Sequence, residues 1–155
     1  MEKYTEKQLD KAIEEKFKKL DEFSAWFLGQ TKFANRPSKL VFSTSGNPWY
    51  KSKLTGKESE TDILVVFEEI KTSRRFAIHI ENKLSNGRFE PLQPRQYHER
   101  AKAWIGNKKY SNYLDYEVVL VAPRTFYDRN KEEAGIFGRY VSHEDIAQFI
   151  PEFGA

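Results

Sequence analysis

The sequence predicts a mixed α/β fold, a central sheet with helices against both faces, on three observations. Ile63 to Phe67 and Phe76 to Ile80 are short apolar, β-branched and aromatic runs separated by the polar stretch Glu68 to Arg75, the pattern of a hairpin. Tyr116 to Ala122, YEVVLVA, is almost continuously apolar and reads as a strand buried on both sides. Leu9, Ile13, Phe17, Leu20, Phe23 and Phe27 recur at helical intervals, and Gln93, Tyr97, Ala101 and Trp104 line one face of a second helix.

The elements follow in order. A first helix is expected from Thr5, because Thr5-x-x-Gln8 has capping-box spacing, and its apolar stripe runs on to Phe27. Leu40 to Ser43 reads as a short strand, and Thr44-Ser45-Gly46-Asn47-Pro48 carries turn chemistry. The hairpin follows, with its turn near Lys71 and Thr72. Asn86-Gly87 and Pro91 then turn the chain before a helix beginning near Gln93 or Pro94, since Pro is tolerated in a first turn. The strand at Tyr116 to Ala122 requires a crossover from the hairpin through that helix. A last helix is expected from Ser142, with Asp145 at capping-box spacing, Ile146, Phe149 and Ile150 turned inward and a stop at Pro151.

A chain of 155 residues is expected to form one domain, residues 1–155, and 39% hydrophobic content with no low-complexity tract excludes a disordered chain. With no cysteine and three scattered histidines, disulfides and thiolate metal sites are excluded and a structural zinc site is not expected. The N-terminus is too charged for a signal peptide, and no run is long enough to span a bilayer, so a cytoplasmic protein with no membrane partner is expected. The net charge of +3 is small, but its distribution is uneven. From Ser24 to Lys57 there is no acid, while Lys32, Arg36, Lys39, Lys51, Lys53 and Lys57 stand among Trp26, Phe27, Phe33, Phe42, Trp49 and Tyr50. Such a stretch reads either as a phosphate-contacting surface or as an accidental acid-free window whose aromatics are core.

An acid opens the hairpin and an acid closes it. Antiparallel pairing about a turn near Lys71 sets Asp62 roughly opposite Glu81. Alternation along the strand puts Glu81 and Lys83 on one face and Asn82 on the other. Glu-x-Lys occurs three times in the chain, so the tripeptide alone says little. Only Glu81-Asn82-Lys83 ends an apolar strand whose hairpin partner begins with an Asp. Polar strand ends account for such a grouping in one reading; in the other, carboxylate oxygens hold a hard divalent cation.

Asp62 followed after a hairpin by Glu81-Asn82-Lys83 resembles the PD-(D/E)xK phosphodiesterase superfamily, the restriction-endonuclease-like nucleases. Gln93-Pro94-Arg95-Gln96-Tyr97 is similar to the Gln-x-x-x-Tyr motif on the helix after the catalytic strand in the RecB-like branch of that superfamily. The resemblance spans roughly Asp62 to Val121 plus the N-terminal helix, and departs from the superfamily's name in having Thr61 where that name has Pro. It implies an αβββαβ core and a metal-dependent nuclease with Asp62, Glu81, Lys83, Gln93 and Tyr97 in the catalytic site. It further implies Mg²⁺, or Mn²⁺, held by Asp62, Glu81 and the Asn82 backbone carbonyl, with a first-helix acid added in many relatives. Glu6, Asp10 and Glu14 lie on or beside the apolar face of that helix, and Glu14 is the one selected. Lys51, Lys53, Lys57, Arg95 and Arg100 are the candidate nucleic-acid contacts, with DNA as the expected partner and RNA as the alternative. A homodimer, or a larger defence, phage or repair complex, is the expected assembly by the same analogy. The rival reading is a binding or interaction module that keeps the fold without the chemistry. His79 and His98 are not assigned as general bases; His79 reads as a satisfied core histidine or one supporting the site.

Overall fold

In a computed structural model that describes residues 3–19, 21–46 and 49–154, the chain builds a five-stranded sheet in the order β1 (Ser38–Ser45), β4 (Ile63–Glu69), β5 (Arg75–Asn82), β6 (Asp115–Ala122), β7 (Arg139–Ser142) and a separate two-stranded ribbon of β2 (Trp49–Lys51) and β3 (Glu58–Glu60). The first helix, α1 (Glu6–Lys18), starts as the capping box requires: the Thr5 side chain accepts from the Gln8 amide at 3.1 Å and Gln8 Oε1 accepts from the Thr5 amide at 2.8 Å. It does not continue to Phe27. Asp21 caps a new helix, α2 (Glu22–Gly29), by accepting from the Phe23 amide at 3.0 Å. The break re-aims the stripe and does not waste it, for Phe23 and Phe27 pack on Phe17 with ring centroids 5.0 and 5.2 Å away. Leu20 lies outside the described residues, as do Asn47 and Pro48 of the expected turn.

The first strand is longer than its apolar run: β1 (Ser38–Ser45) pairs antiparallel with β4 (Ile63–Glu69), with an irregularity between Leu40 and Phe42. The ribbon β2 (Trp49–Lys51) and β3 (Glu58–Glu60) is not foreseen from the sequence, because strands of three residues are too short to carry a hydrophobic period. β4 and β5 (Arg75–Asn82) form the expected hairpin with Ile63 opposite Ile80 and Phe67 opposite Phe76. The chain then crosses through α3 (Gln93–Ala103) to β6 (Asp115–Ala122), which runs parallel to β5. Two short helices, α4 (Arg124–Arg129) and α5 (Lys131–Ala134), carry it to β7 (Arg139–Ser142), parallel to β6 and also unforeseen. Ser142 caps α6 (His143–Ile146) by accepting from the Asp145 amide at 3.0 Å.

Alternation along the strands divides the core. Ile63, Val65, Phe67, Ile78, Ile80, Val119 and Val121 face the layer of α1, α2 and the C-terminal segment. Leu64, Val66, Ala77, Val118, Leu120 and Ala122 face the opposite layer, where α3 supplies Tyr97, Ala101 and Trp104 and the α4–α5 region supplies Phe126 and Ala134. The protein is therefore a mixed α/β fold with helices on both faces of a mixed sheet. Among the described residues no helix is long and apolar enough to cross a membrane.

The basic stretch is split by this fold. Lys32, Arg36 and Lys39 lie toward the Glu68 and Asp115 edge of the sheet, paired with Asp115 at 2.8 Å, Glu69 at 3.8 Å and Glu68 at 3.3 Å. Lys51, Lys53 and Lys57 are exposed on the ribbon at the other edge. Phe27 and Phe33 are core, and Trp26 packs against Phe149 at 5.0 Å, whereas Trp49 is 54% exposed.

Candidate metal centre

The hairpin register continues one step past Ile63 and Ile80, and that step sets Asp62 beside Glu81 at the edge of the sheet. The Asn82 amide donates to Asp62 Oδ2 at 2.9 Å, which ties the two strand ends together. Lys83 Nζ lies 3.4 Å from Glu81 Oε2 and donates to the Arg88 carbonyl at 2.7 Å. Asn82 turns the other way, as alternation requires: its Nδ2 donates to Asp10 Oδ1 at 2.9 Å and its Oδ1 accepts from His143 Nε2 at 2.8 Å.

The first helix does supply an acid, but not the expected one. Carboxylate oxygens of Glu6, Asp62 and Glu81 all lie within 4.8 Å of one another. Glu14 instead accepts from Ser43 at 2.8 Å and Ser45 at 2.7 Å and pairs with Lys18 at 3.6 Å. Burial pushes its carboxyl up, but the hydrogen bonds from Ser45 and Ser43 and the Lys18 charge outweigh that and hold it below its ordinary value. The reason is the way α1 lies across the sheet edge. Its first turn reaches Asp62 and Glu81, its second meets Asn82 through Asp10, and its third arrives over β1. Helical periodicity names the face of Glu6, Asp10 and Glu14 but not the point where the helix crosses the strands.

The α3 residues act on the two acids directly. Gln93 Nε2 donates to Glu81 Oε1 at 3.2 Å. Tyr97, fully buried, accepts from the Asp62 amide at 3.0 Å and donates to the Ile80 carbonyl at 3.3 Å, so one hydroxyl fixes the spacing of the strands that carry the acids. It is a positioning residue. Tyr97→Phe leaves the buried Asp62 amide without its partner, and unfolding free energy is expected to fall by about 1–2 kcal/mol. Chemical denaturation checks this, and an unchanged midpoint would show that the hydroxyl bears no load.

Electrostatically the cluster is short of counter-charge. Burial, then the Glu81 charge, pushes Glu6 up to about 7. Burial pushes Asp10 up to about 8 despite the hydrogen bond from Asn82, with Glu6 and Glu81 adding to the shift. Asp62 is raised well above the usual carboxylate range by burial and by Glu81, Asp10 and Glu6. Three clustered carboxylates with no His or Cys among them form a hard, oxygen-only donor set, which fits Mg²⁺ or Mn²⁺ and not zinc.

The acids stand in a cavity of about 620 Å³ whose wall includes Trp49, Lys57, Lys83, Gln96 and Arg100. Arg100, one of the candidate nucleic-acid contacts, is fully buried, which removes it from the exposed surface such a contact needs. Its Nε donates to Thr61 Oγ1 at 2.7 Å, its Nη1 to Ser59 Oγ at 2.7 Å, and its plane lies over Tyr97 at 4.3 Å. A directional chain backs it. The Tyr113 hydroxyl gives its proton to the Ala101 carbonyl, so His79 Nε2 is the donor to Tyr113 at 3.1 Å. His79 Nδ1 then accepts from Thr61 at 2.9 Å, leaving the Thr61 oxygen to accept from Arg100. His79 is thus a satisfied core histidine, held neutral well below its ordinary pKa first by burial and then by the Arg100 charge. His98 bonds the Ile136 carbonyl at 2.7 Å and takes no part in the cavity wall. Arg100 Nη2 is the one fully buried side-chain nitrogen or oxygen among the described residues without a hydrogen-bond partner. Arg95 is exposed on α3.

The structure therefore brings together Asp62, Glu81, Lys83, Gln93, Tyr97 and Glu6, sets Lys57 and Arg100 in the same cavity wall, and leaves Glu14 aside. No protein-family model matches this chain, and no curated protein or solved structure matches it.

Proposed function

We propose that this protein is a divalent-metal-dependent nuclease that hydrolyses phosphodiester bonds, in DNA before RNA, on a restriction-endonuclease-like core. The observation that carries the reading is the meeting of Glu6, Asp62 and Glu81 at one spot, with Lys83 3.4 Å from Glu81. The mixed sheet and the order of its elements support the core the sequence resembles, and Lys57 and Lys83 in the cavity wall suit a phosphate.

Glu6, Asp62 and Glu81, with the Asn82 backbone carbonyl, would hold Mg²⁺ or Mn²⁺. Bound there, the ion supplies a Lewis acid for the phosphate and lowers the pKa of the attacking water. The chain's own groups do the rest. Gln93 and Tyr97 hold Glu81 and Asp62 in place. Lys83, whose ammonium is directed by the Arg88 carbonyl, orients the nucleophile and offsets the charge that builds on the phosphate. In-line attack leaves a 5′-phosphate and a 3′-hydroxyl, as the resemblance implies.

Circular and linear DNA incubated in Mg²⁺, in Mn²⁺ and in chelator form the test, with nicked circles expected only where the divalent ion is present. Binding without cleavage in every condition would instead establish the inactive-module reading. The choice of first-helix acid is checked separately. Glu6→Gln is expected to raise the Mg²⁺ concentration for half-maximal cleavage at least tenfold, and Glu14→Gln to leave it within about twofold. The reverse order would remove Glu6 from the ligand set.

A further inference from the structure

We infer that the cavity takes an unpaired strand, and that Trp49 on the β2–β3 ribbon is the platform on which a nucleobase beside the scissile phosphate stacks. This deepens the nuclease reading and rests on it. Three features converge. Asp62 and Glu81 are only 7% and 2% exposed at the wall of a cavity of about 620 Å³. The space has room for a ligand the size of one or two nucleotides. Acids this little exposed meet a scissile phosphate most readily when its nucleotide is free of a partner strand, as where a base is taken into a pocket for chemistry.

Trp49 then presents an exposed ring to that cavity. It lines this cavity, is 54% exposed, and joins no ring pair among the described residues, where almost every other large aromatic in the chain is stacked or edge-packed. An exposed indole on the wall of a polar cavity is the feature single-strand binding proteins use, because every base has a face to stack and the contact tolerates any sequence.

The ribbon that carries Trp49 is braced as a fixed arm. Opposite residues of an antiparallel pair share a face, so Tyr50 and Ser59 turn one way and Trp49 and Glu60 the other. The inner face is held to α3: Tyr50 meets Trp104 edge-on at 6.3 Å and Ser59 accepts from Arg100 at 2.7 Å. The connecting loop is tied down as well, Ser52 donating to Glu99 at 2.6 Å and Thr55 accepting from Gln96 at 3.0 Å. Trp49 is thus presented from a rigid support, with the exposed Lys51, Lys53 and Lys57 on the same ribbon and loop to meet the strand's phosphates.

The test is equilibrium binding of fluorescein-labelled oligothymidylate and of a fully paired, blunt DNA hairpin, in Mg²⁺, with Lys83→Ala as the parent so that substrate survives. Trp49→Ala is expected to weaken oligothymidylate binding about tenfold, Trp49→Phe to stay within about twofold of the parent, and binding of the paired hairpin to be unchanged in both. Because Trp49 is exposed, both variants should melt with the parent, and matching circular-dichroism curves check that. Equal loss on oligothymidylate and hairpin, or no loss on either, overturns the inference. Preferred binding of the paired hairpin by the parent overturns it too. The two readings fail separately: wild-type protein that cleaves neither single strand nor duplex in Mg²⁺ or Mn²⁺ removes the nuclease proposal, while the binding series still reports whether Trp49 holds a base.

Discussion

Lys83→Ala is expected to lower divalent-dependent cleavage by about 10²–10³-fold while leaving the protein folded, the loss typical when one preorganised charge at a developing oxyanion is removed. The side chain is 10% exposed, and its ammonium lies 3.4 Å from Glu81 and donates to the Arg88 carbonyl at 2.7 Å. Its ammonium also lies 5.5 Å from the centre of the Phe89 ring, so matching circular-dichroism melts of variant and wild type are read beside the rates to separate chemistry from fold. Asp62→Asn is the companion. Its amide oxygen can still accept from the Asn82 amide, which Asp62 now binds at 2.9 Å, but one ligand charge is gone. Cleavage should then fall through metal affinity, recovering in part at high Mn²⁺, whereas Lys83→Ala should not recover. Initial rates across a metal titration separate the two. Wild-type rates from a clean preparation of the Lys83 variant would end its assignment.

The second large effect is on stability. Mg²⁺ or Mn²⁺ at about 100 times its Kd is expected to raise unfolding free energy by about 2.7 kcal/mol, and the gain should be larger at pH 8 than at pH 6.5. The Glu6 carboxyl is raised from 4.5 to about 7 and Asp10 from 3.8 to about 8, burial being the first cause in both. Between those limits the folded chain binds more protons than the unfolded one. The stability these groups contribute is therefore complete below their ordinary values and lost as pH rises through about 7 and about 8. His79 works in the opposite sense below its ordinary 6.5, since a buried neutral imidazole charges on unfolding. In chelator, then, the melting temperature should fall from pH 6.5 to pH 8. A divalent ion takes the place of the retained protons, and its stabilisation grows over the same interval. A melting temperature that rises with pH in chelator, or one that no divalent ion moves, would count against a cation site at these acids.

The hairpin was legible before any coordinates. Its two apolar runs are nearly continuous because both faces of the sheet are covered, and the polar stretch Glu68 to Arg75 between them places the turn and, with it, the pairing. From that register follow Asp62 beside Glu81, Lys83 on the Glu81 face and Asn82 turned away. The cap at Thr5, the α3 start with Gln93 and Tyr97 on one face, and the buried strand of Tyr116 to Ala122 were readable for the same reason: each is written in residues within a turn or two of one another. The ribbon and β7 were not, being strands of three or four residues whose pairing comes from the partner and not from their own period. The stripe reads as one long helix because Phe23 and Phe27 keep helical spacing from Phe17 across the break at which Asp21 caps a new helix.

The sequence by itself determined which side chains the hairpin brings to the sheet edge, because alternation and pairing are local rules that hold whatever packs above. Only the tertiary structure decided what joins them. Glu6 and not Glu14 meets Asp62 and Glu81, Arg100 is fully buried beneath the ribbon, and Trp49 lines the cavity. Each of these turns on where a helix or ribbon crosses the sheet, an angle and an offset set by the interlocking of residues dozens of positions apart, and no periodicity along one segment encodes it.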